Sequence, residues 1–330
     1  MLDTAANIPL ATHAGARVQA LSQARLSNYR TFFGAADDDQ VLGLYQWNEE
    51  LGACLMRVVA KVEVVLRNQF HGAFSKRHGA TGSSGSKDWY ARVDLSVLSK
   101  AKIRDITHFR QGQQHLPRAP APSPDDVVSR LTFGFWSHLL DLKRDIRGRP
   151  IDWGQILLEV LPGHRQRQVT HWSKQKHQDA LFARLDLCNE LCNRIAHHEP
   201  IWKLGPLLSE DRARHGSPRR QIAPAPARPD EALTRLRLLY GRLTELLGWL
   251  APDVASHHAT SELHVRCQAL LRPDMLKAYR HGLGPATIDI GKAPSLRVLR
   301  KALRLAARRQ QPILLKDGHR TIGHLTALIP

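Results

Sequence analysis

The chain has 330 residues, 42% of them hydrophobic, and carries 48 Lys and Arg against 30 Asp and Glu, a formal net charge of +18 with a pI near 10.3. That length allows two domains, or one large domain with an appendage, and the apolar share supports a buried core. No apolar run approaches the roughly 20 residues that span a bilayer, which argues against a membrane protein. A basic excess of this size speaks of partners: RNA or DNA first, because neutralising phosphates releases counterions, with an acidic protein or an anionic membrane as lesser options.

The opening stretch, residues 1–19 (MLDTAANIPLATHAGARVQ), lacks the basic start and apolar run of a signal peptide, so the expected location is cytoplasmic, and residues 1–16 read as loosely ordered. Val18, Leu21, Leu26, Tyr29, Phe32 and Phe33 predict one or two short helices. Asp37, Asp38 and Asp39 supply helix-start chemistry for a long helix over 40–74, whose apolar residues keep helical spacing from Val41 to Phe74. On it, Glu63 and Arg67 stand four apart and are expected to pair. A Gly/Ser loop at 79–89 precedes a helix expected over 94–111, and the Pro-rich stretch 115–123 reads as a connector. Ser123, Asp125 and Asp126 are placed to cap one helix running to Leu140, and another helix over 153–161 stops at Pro162 and Gly163.

Beyond Trp202, residues 205–230 are rich in Pro, Arg and Ala and read as a mobile loop, followed by an amphipathic helix over 231–249. Residues 1–254 therefore read as an all-α helical bundle, and 255–330 as a small basic α+β appendage. In the appendage a basic helix at 295–309 is followed by strand candidates at 312–316 and 321–325 around Asp317 and Gly318. That order is similar to half of a CBS repeat, which leaves a nucleotide-sensing role as a further option. The four cysteines, Cys54, Cys188, Cys192 and Cys267, are too few and scattered for a disulfide framework.

One stretch concentrates chemistry: Leu185–Trp202, LDLCNELCNRIAHHEPIW. It begins as a helix that Pro200 must end, and its last turns hold Asn193, Arg194, His197, His198 and Glu199. Several readings fit these residues. A zinc site lacks the His-Glu-x-x-His spacing, a Cys–His nucleophile pair lacks a surrounding motif, and histidines at a helix C-terminus are favoured by the dipole for structural reasons alone. The fourth is metal-independent RNA cleavage, which needs a base for the 2′-hydroxyl, a cation for the phosphate and polar groups to orient both.

Asn193–Trp202 (NRIAHHEPIW) resembles the signature of the Abi-like (abortive infection) proteins of the HEPN superfamily. Leu44–Asn48 (LYQWN) with Glu63–Asn68 (EVVLRN), Leu131–Trp136 (LTFGFW) and Leu247–Pro252 (LGWLAP) are similar to that family's first, middle and closing blocks. The resemblance implies a HEPN-like helical bundle that pairs as a homodimer, no metal or other cofactor, and toxin-like endoribonuclease action in phage defence, with an antitoxin as a possible partner. It carries over His197 as acid/base, with Asn193, His198 and Glu199 as orienting groups, while Arg194, on the same helix face as His197 and His198, is the expected phosphate holder. Arg67, Asn68, Arg165 and Arg167 are candidate RNA contacts. The family's motif arginine, directly before the asparagine, is replaced here by Cys192, which opens the alternative of a catalytically inactive RNA-binding module.

Overall fold

Two short helices, α1 (Ala14–Ala20) and α2 (Gln23–Phe33), lead into the element on which the rest packs, the 41-residue α3 (Asp38–His78). The computed structural model describes residues 14–213, 218–281, 287–292, 295–309, 313–318 and 320–325. Asp37 caps α3 by accepting the Gln40 amide at 2.8 Å, and the apolar stripe from Val41 to Phe74 is buried along its whole length. Glu63 and Arg67 do not close the expected pair. Arg67 instead donates to the Ser129 carbonyl at 3.1 Å, a partner brought near by the fold.

The Gly/Ser loop carries a minimal strand pair, β1 (Gly82–Ser83) with β2 (Ser86–Lys87). The helix expected over 94–111 is shorter, α4 (Val97–Thr107), because the chain turns at Gly112 (φ 61°) and pairs β3 (His108–Gln111) with β4 (Gln114–Pro117). The helix expected from Ser123 to Leu140 is two: α5 (Pro124–Ser129), started by a capping box between Ser123 and Asp126, and α6 (Phe133–Leu139). Next come α7 (Trp153–Val160), the single turn α8 (Val169–Trp172) and α9 (Gln175–Ala196).

The segment expected to be a mobile loop is partly ordered by pairing of β5 (Leu207–Leu208) with β6 (Gln221–Ala223), and residues 214–217 of it lie outside the described residues. Then α10 (Pro229–Leu250) runs against α3, followed by α11 (Pro252–Ala259), α12 (Glu262–Leu270) and α13 (Pro273–Arg280).

These last helices shift the expected boundary at 254/255. Leu263, Cys267, Leu270 and Leu276 are buried in the same core as α3, and the Trp47 indole donates to the Leu270 carbonyl at 2.8 Å. At Gly43 a Cβ would lie 1.9 Å from the Tyr279 carbonyl oxygen, so glycine is required where α13 meets α3. The α+β unit begins later, with β7 (Thr287–Asp289), α14 (Leu296–Arg309), β8 (Ile313–Asp317) and β9 (Arg320–Leu325). β7 is parallel to β8 and β8 antiparallel to β9, with Gly318 (φ 57°) in the turn. The protein is thus mostly helical, with small strand pairs and one three-stranded sheet among its described residues. No helix among them is long and apolar enough to cross a membrane.

Candidate functional site

Helix α9 ends in a Schellman motif. Glu199 N–H donates to the Arg194 carbonyl at 2.9 Å and His198 N–H to the Ile195 carbonyl at 3.0 Å, with His198 in the left-handed region (φ 55°). Pro200 follows the motif directly, as a residue that cannot continue the helix. The chain then dives back into the core. Ile201 and Trp202 are buried, and the Ile201 amide donates at 2.9 Å to the side chain of Asn48, itself buried on α3. The Trp202 indole packs in an aromatic nest of α2, 4.4 Å from Phe32 and 5.0 Å from Phe33. The residues between the helix end and this anchor are therefore displayed on a short, doubly tethered turn.

On that turn Asn193, His197, His198 and Glu199 are exposed. Neither histidine ring hydrogen-bonds to a described residue; only their backbone groups are engaged. Arg194 does not reach back to them. It bends over the turn, donating to the Pro200 carbonyl at 3.3 Å and to the Lys203 carbonyl, and lies 3.8 Å from the Glu199 carboxylate. The spacing of an uninterrupted helix would have placed Arg194 beside His198, but the left-handed residue redirects the chain.

Cys192 is half-buried towards α3. Burial pushes its thiol pKa up, and the Glu63 carboxylate adds to the rise. Burial also raises the Glu63 pKa, with Arg67 acting against it. The face on which the family arginine would stand thus looks onto Glu63.

A second cation, not expected from sequence, does reach the turn. Arg25 of α2 is exposed and donates to the His198 carbonyl at 2.8 Å. Tyr45 stands with it; burial and the Glu49 carboxylate raise the phenol pKa, and Arg25 opposes that rise. Lys203 donates to the Asn28 side chain at 3.1 Å. No local signal marks Arg25, since its partner is 173 positions away in sequence.

The other candidate contacts lie elsewhere. Arg67 is 15 positions beyond Gly52, whose Cβ position faces Ile195, so roughly 20 Å of helix separates it from the turn; Asn68 beside it is exposed. Arg167 caps α7 through the Leu158 and Leu161 carbonyls at 3.3 and 2.9 Å, and Arg165 is exposed nearby. This segment joins α9 near its start, where Gln178 bonds the Trp172 carbonyl at 2.9 Å, well away from His197.

The sequence profile of the Abi-like protein family matches residues 18–203, more than half of the chain, and the protein belongs to that family. The family's name points to abortive infection, a defence against phage. The matched span closes just beyond the tethered turn and includes Arg25, the buried Asn48 and all of α9. No curated protein and no solved structure matches the chain.

Proposed function

We propose that the protein is an endoribonuclease of the HEPN type, acting as a toxin in phage defence, and that its chemistry runs without a metal through His197. The observation that carries this reading is the exposed His197 ring, without a hydrogen-bond partner among the described residues, on a turn tethered at both ends, with Asn193 one helical turn before it and Arg25 bonded to the next residue's carbonyl. His197 takes the proton of a 2′-hydroxyl, the 2′-oxygen attacks the adjacent phosphorus, and the 5′-oxygen leaves with a proton from the imidazolium or from water. The products end in a 2′,3′-cyclic phosphate and a 5′-hydroxyl. Arg25 carries the developing phosphate charge, and Arg194, expected in that task from its spacing along the helix, holds the turn in shape. Asn193, His198 and Glu199 orient the substrate.

Contact with a polyanion has separate support in α14. Arg297, Arg300, Lys301 and Arg304 form one exposed stripe and make no ion pair with a described residue, while Leu299 and Ala302 pack towards Ile288 and Leu315. The proposal includes a cytoplasmic location, a homodimer that brings two motifs together, and an antitoxin as the restraining partner.

Incubating the purified chain with total RNA in EDTA tests the activity. Cleavage that disappears in His197→Ala is expected, and RNA left intact by the parent overturns the reading. A second reading, an inactive RNA-binding module, is favoured by the commitment of Arg194 to backbone carbonyls and by Cys192 in place of the motif arginine. An inert parent that gains cleavage on Cys192→Arg would support it.

A further inference from the structure

A groove of about 520 Å³ runs between α9, α10 and the chain from Leu204 to Leu208, and its lining includes Asn193 and Arg194. Its size lies within the range of roughly 300–1,000 Å³ typical of small-ligand pockets. The walls are built. Arg184, only 5% exposed, clamps Glu210 through two bonds of 2.7 and 2.8 Å and reaches Glu245 at 2.7 Å, which fixes the segment after α9 against α10. Arg219 secures the same wall by donating to the Ser209 carbonyl at 2.9 and 2.8 Å.

The lining combines two chemistries. Leu187 and Leu191 of α9 face Leu238 and Leu239 of α10, and Leu238 stays 41% exposed, an apolar surface left open to solvent. The charges do not cancel evenly. Glu210 is taken by Arg184 and by Arg242 at 3.0 Å, Glu199 lies against Arg194, and burial raises the Glu190 pKa, disfavouring its charged form. Arg235 is left. It donates to the Pro224 carbonyl at 3.1 Å; it has no carboxylate partner among the described residues, and burial with the nearby Arg242 charge disfavours its cation. A half-buried guanidinium facing a like charge beside an apolar slot calls for an anion with an apolar body.

We propose that this groove is an RNA subsite that holds the base and sugar of one unpaired nucleotide next to the cleaved bond, with its phosphate on Arg235. This rests on the ribonuclease reading above and adds the substrate class: single-stranded RNA, because a paired base is stacked in the duplex and its face cannot enter a slot. Asn193, exposed and part of the groove's lining, is shared between the subsite and the catalytic turn.

The test measures binding by the full chain of a short fluorescent 2′-O-methyl oligoribonucleotide, which lacks the nucleophile for cleavage, at fixed ionic strength. Arg235→Gln and Leu238→Gln are each expected to weaken binding about tenfold, the loss of one charge-assisted or apolar contact. Arg147→Gln, which removes an exposed cation with no side-chain bond to a described residue, is the charge control and is expected to stay within about twofold. Groove variants that bind like the parent, or no more weakly than Arg147→Gln, overturn the subsite, as does a parent that does not bind the probe. The two readings separate cleanly. Groove-dependent binding without cleavage of ordinary RNA keeps the subsite and removes the nuclease; cleavage untouched by the groove variants does the reverse.

Discussion

Helix α9 places two arginines about three turns apart in opposite circumstances. Arg184 is buried, paired with two carboxylates and stacked 4.8 Å over Trp249. Arg194 is half-buried and satisfied by backbone carbonyls of the turn it spans. Both do structural work, one holding the wall after α9 and the other the turn that ends it. The side chains of Asn193, His197 and His198, by contrast, make no hydrogen bond or ion pair with a described residue, and the proposed chemistry rests on that difference. Charge in a motif therefore does not by itself mark a side chain as available; what it bonds to in the fold does.

The sharpest way to separate the two regions is to remove one group from each. His197→Ala should lower RNA cleavage by about 10²- to 10⁴-fold, the range for loss of a general acid/base, with an unchanged melting temperature. A melting temperature that falls with activity would make His197 a structural residue and erase the contrast. Arg184→Met should do the opposite, costing about 3 kcal/mol of stability in urea unfolding. Its effect sits at the low end for a broken buried pair because Glu245 is 54% exposed and can turn to water.

Acid should act on the interior before it acts on Arg184. His258, buried on α11, bonds through Nε2 to the Tyr240 hydroxyl at 3.0 Å, and that hydroxyl also meets His264 Nδ1 at 2.8 Å. Burial pushes the His258 pKa down to about 4, with the Lys61 and His264 charges adding to it. A folded-state value below the unfolded one means the unfolded chain takes up protons first. Stability from this group is present above about pH 6.5 and is lost as pH falls to 4, by about 3 kcal/mol in total. A His258→Gln chain should show a flatter acid limb in pH-dependent unfolding, and an identical limb would assign the loss elsewhere.

Smaller effects probe the turn itself. Arg194→Ala should cost about 1 kcal/mol and speed proteolysis near residues 199–203, while reducing cleavage far less than His197→Ala. An equal loss of cleavage would return the phosphate to Arg194. His198→Gly should stabilise by about 0.5 kcal/mol in thermal unfolding, by relieving a left-handed conformation costly for a side chain with a Cβ.

Helices that depend on local rules were legible in the residues. The α3 stripe, the Asp37 cap, the Ser123 capping box and the break at Pro200 each rest on neighbours a few positions away. The β3–β4 hairpin escaped because its signal is a single glycine in polar surroundings. The helices after Pro252 were set apart by a change in composition, yet their leucines complete the core around Trp47.

By itself, then, the sequence determined a basic, mostly helical chain with a dense polar cluster at the end of one helix. The tertiary structure decided the rest: that Arg194 folds over its own turn, that Arg25 arrives from α2, and that Arg67 and Arg167 work far from His197. Periodicity and capping are properties of consecutive residues. Which cation faces which ring depends on contacts between distant segments, and those exist only once the helices have packed.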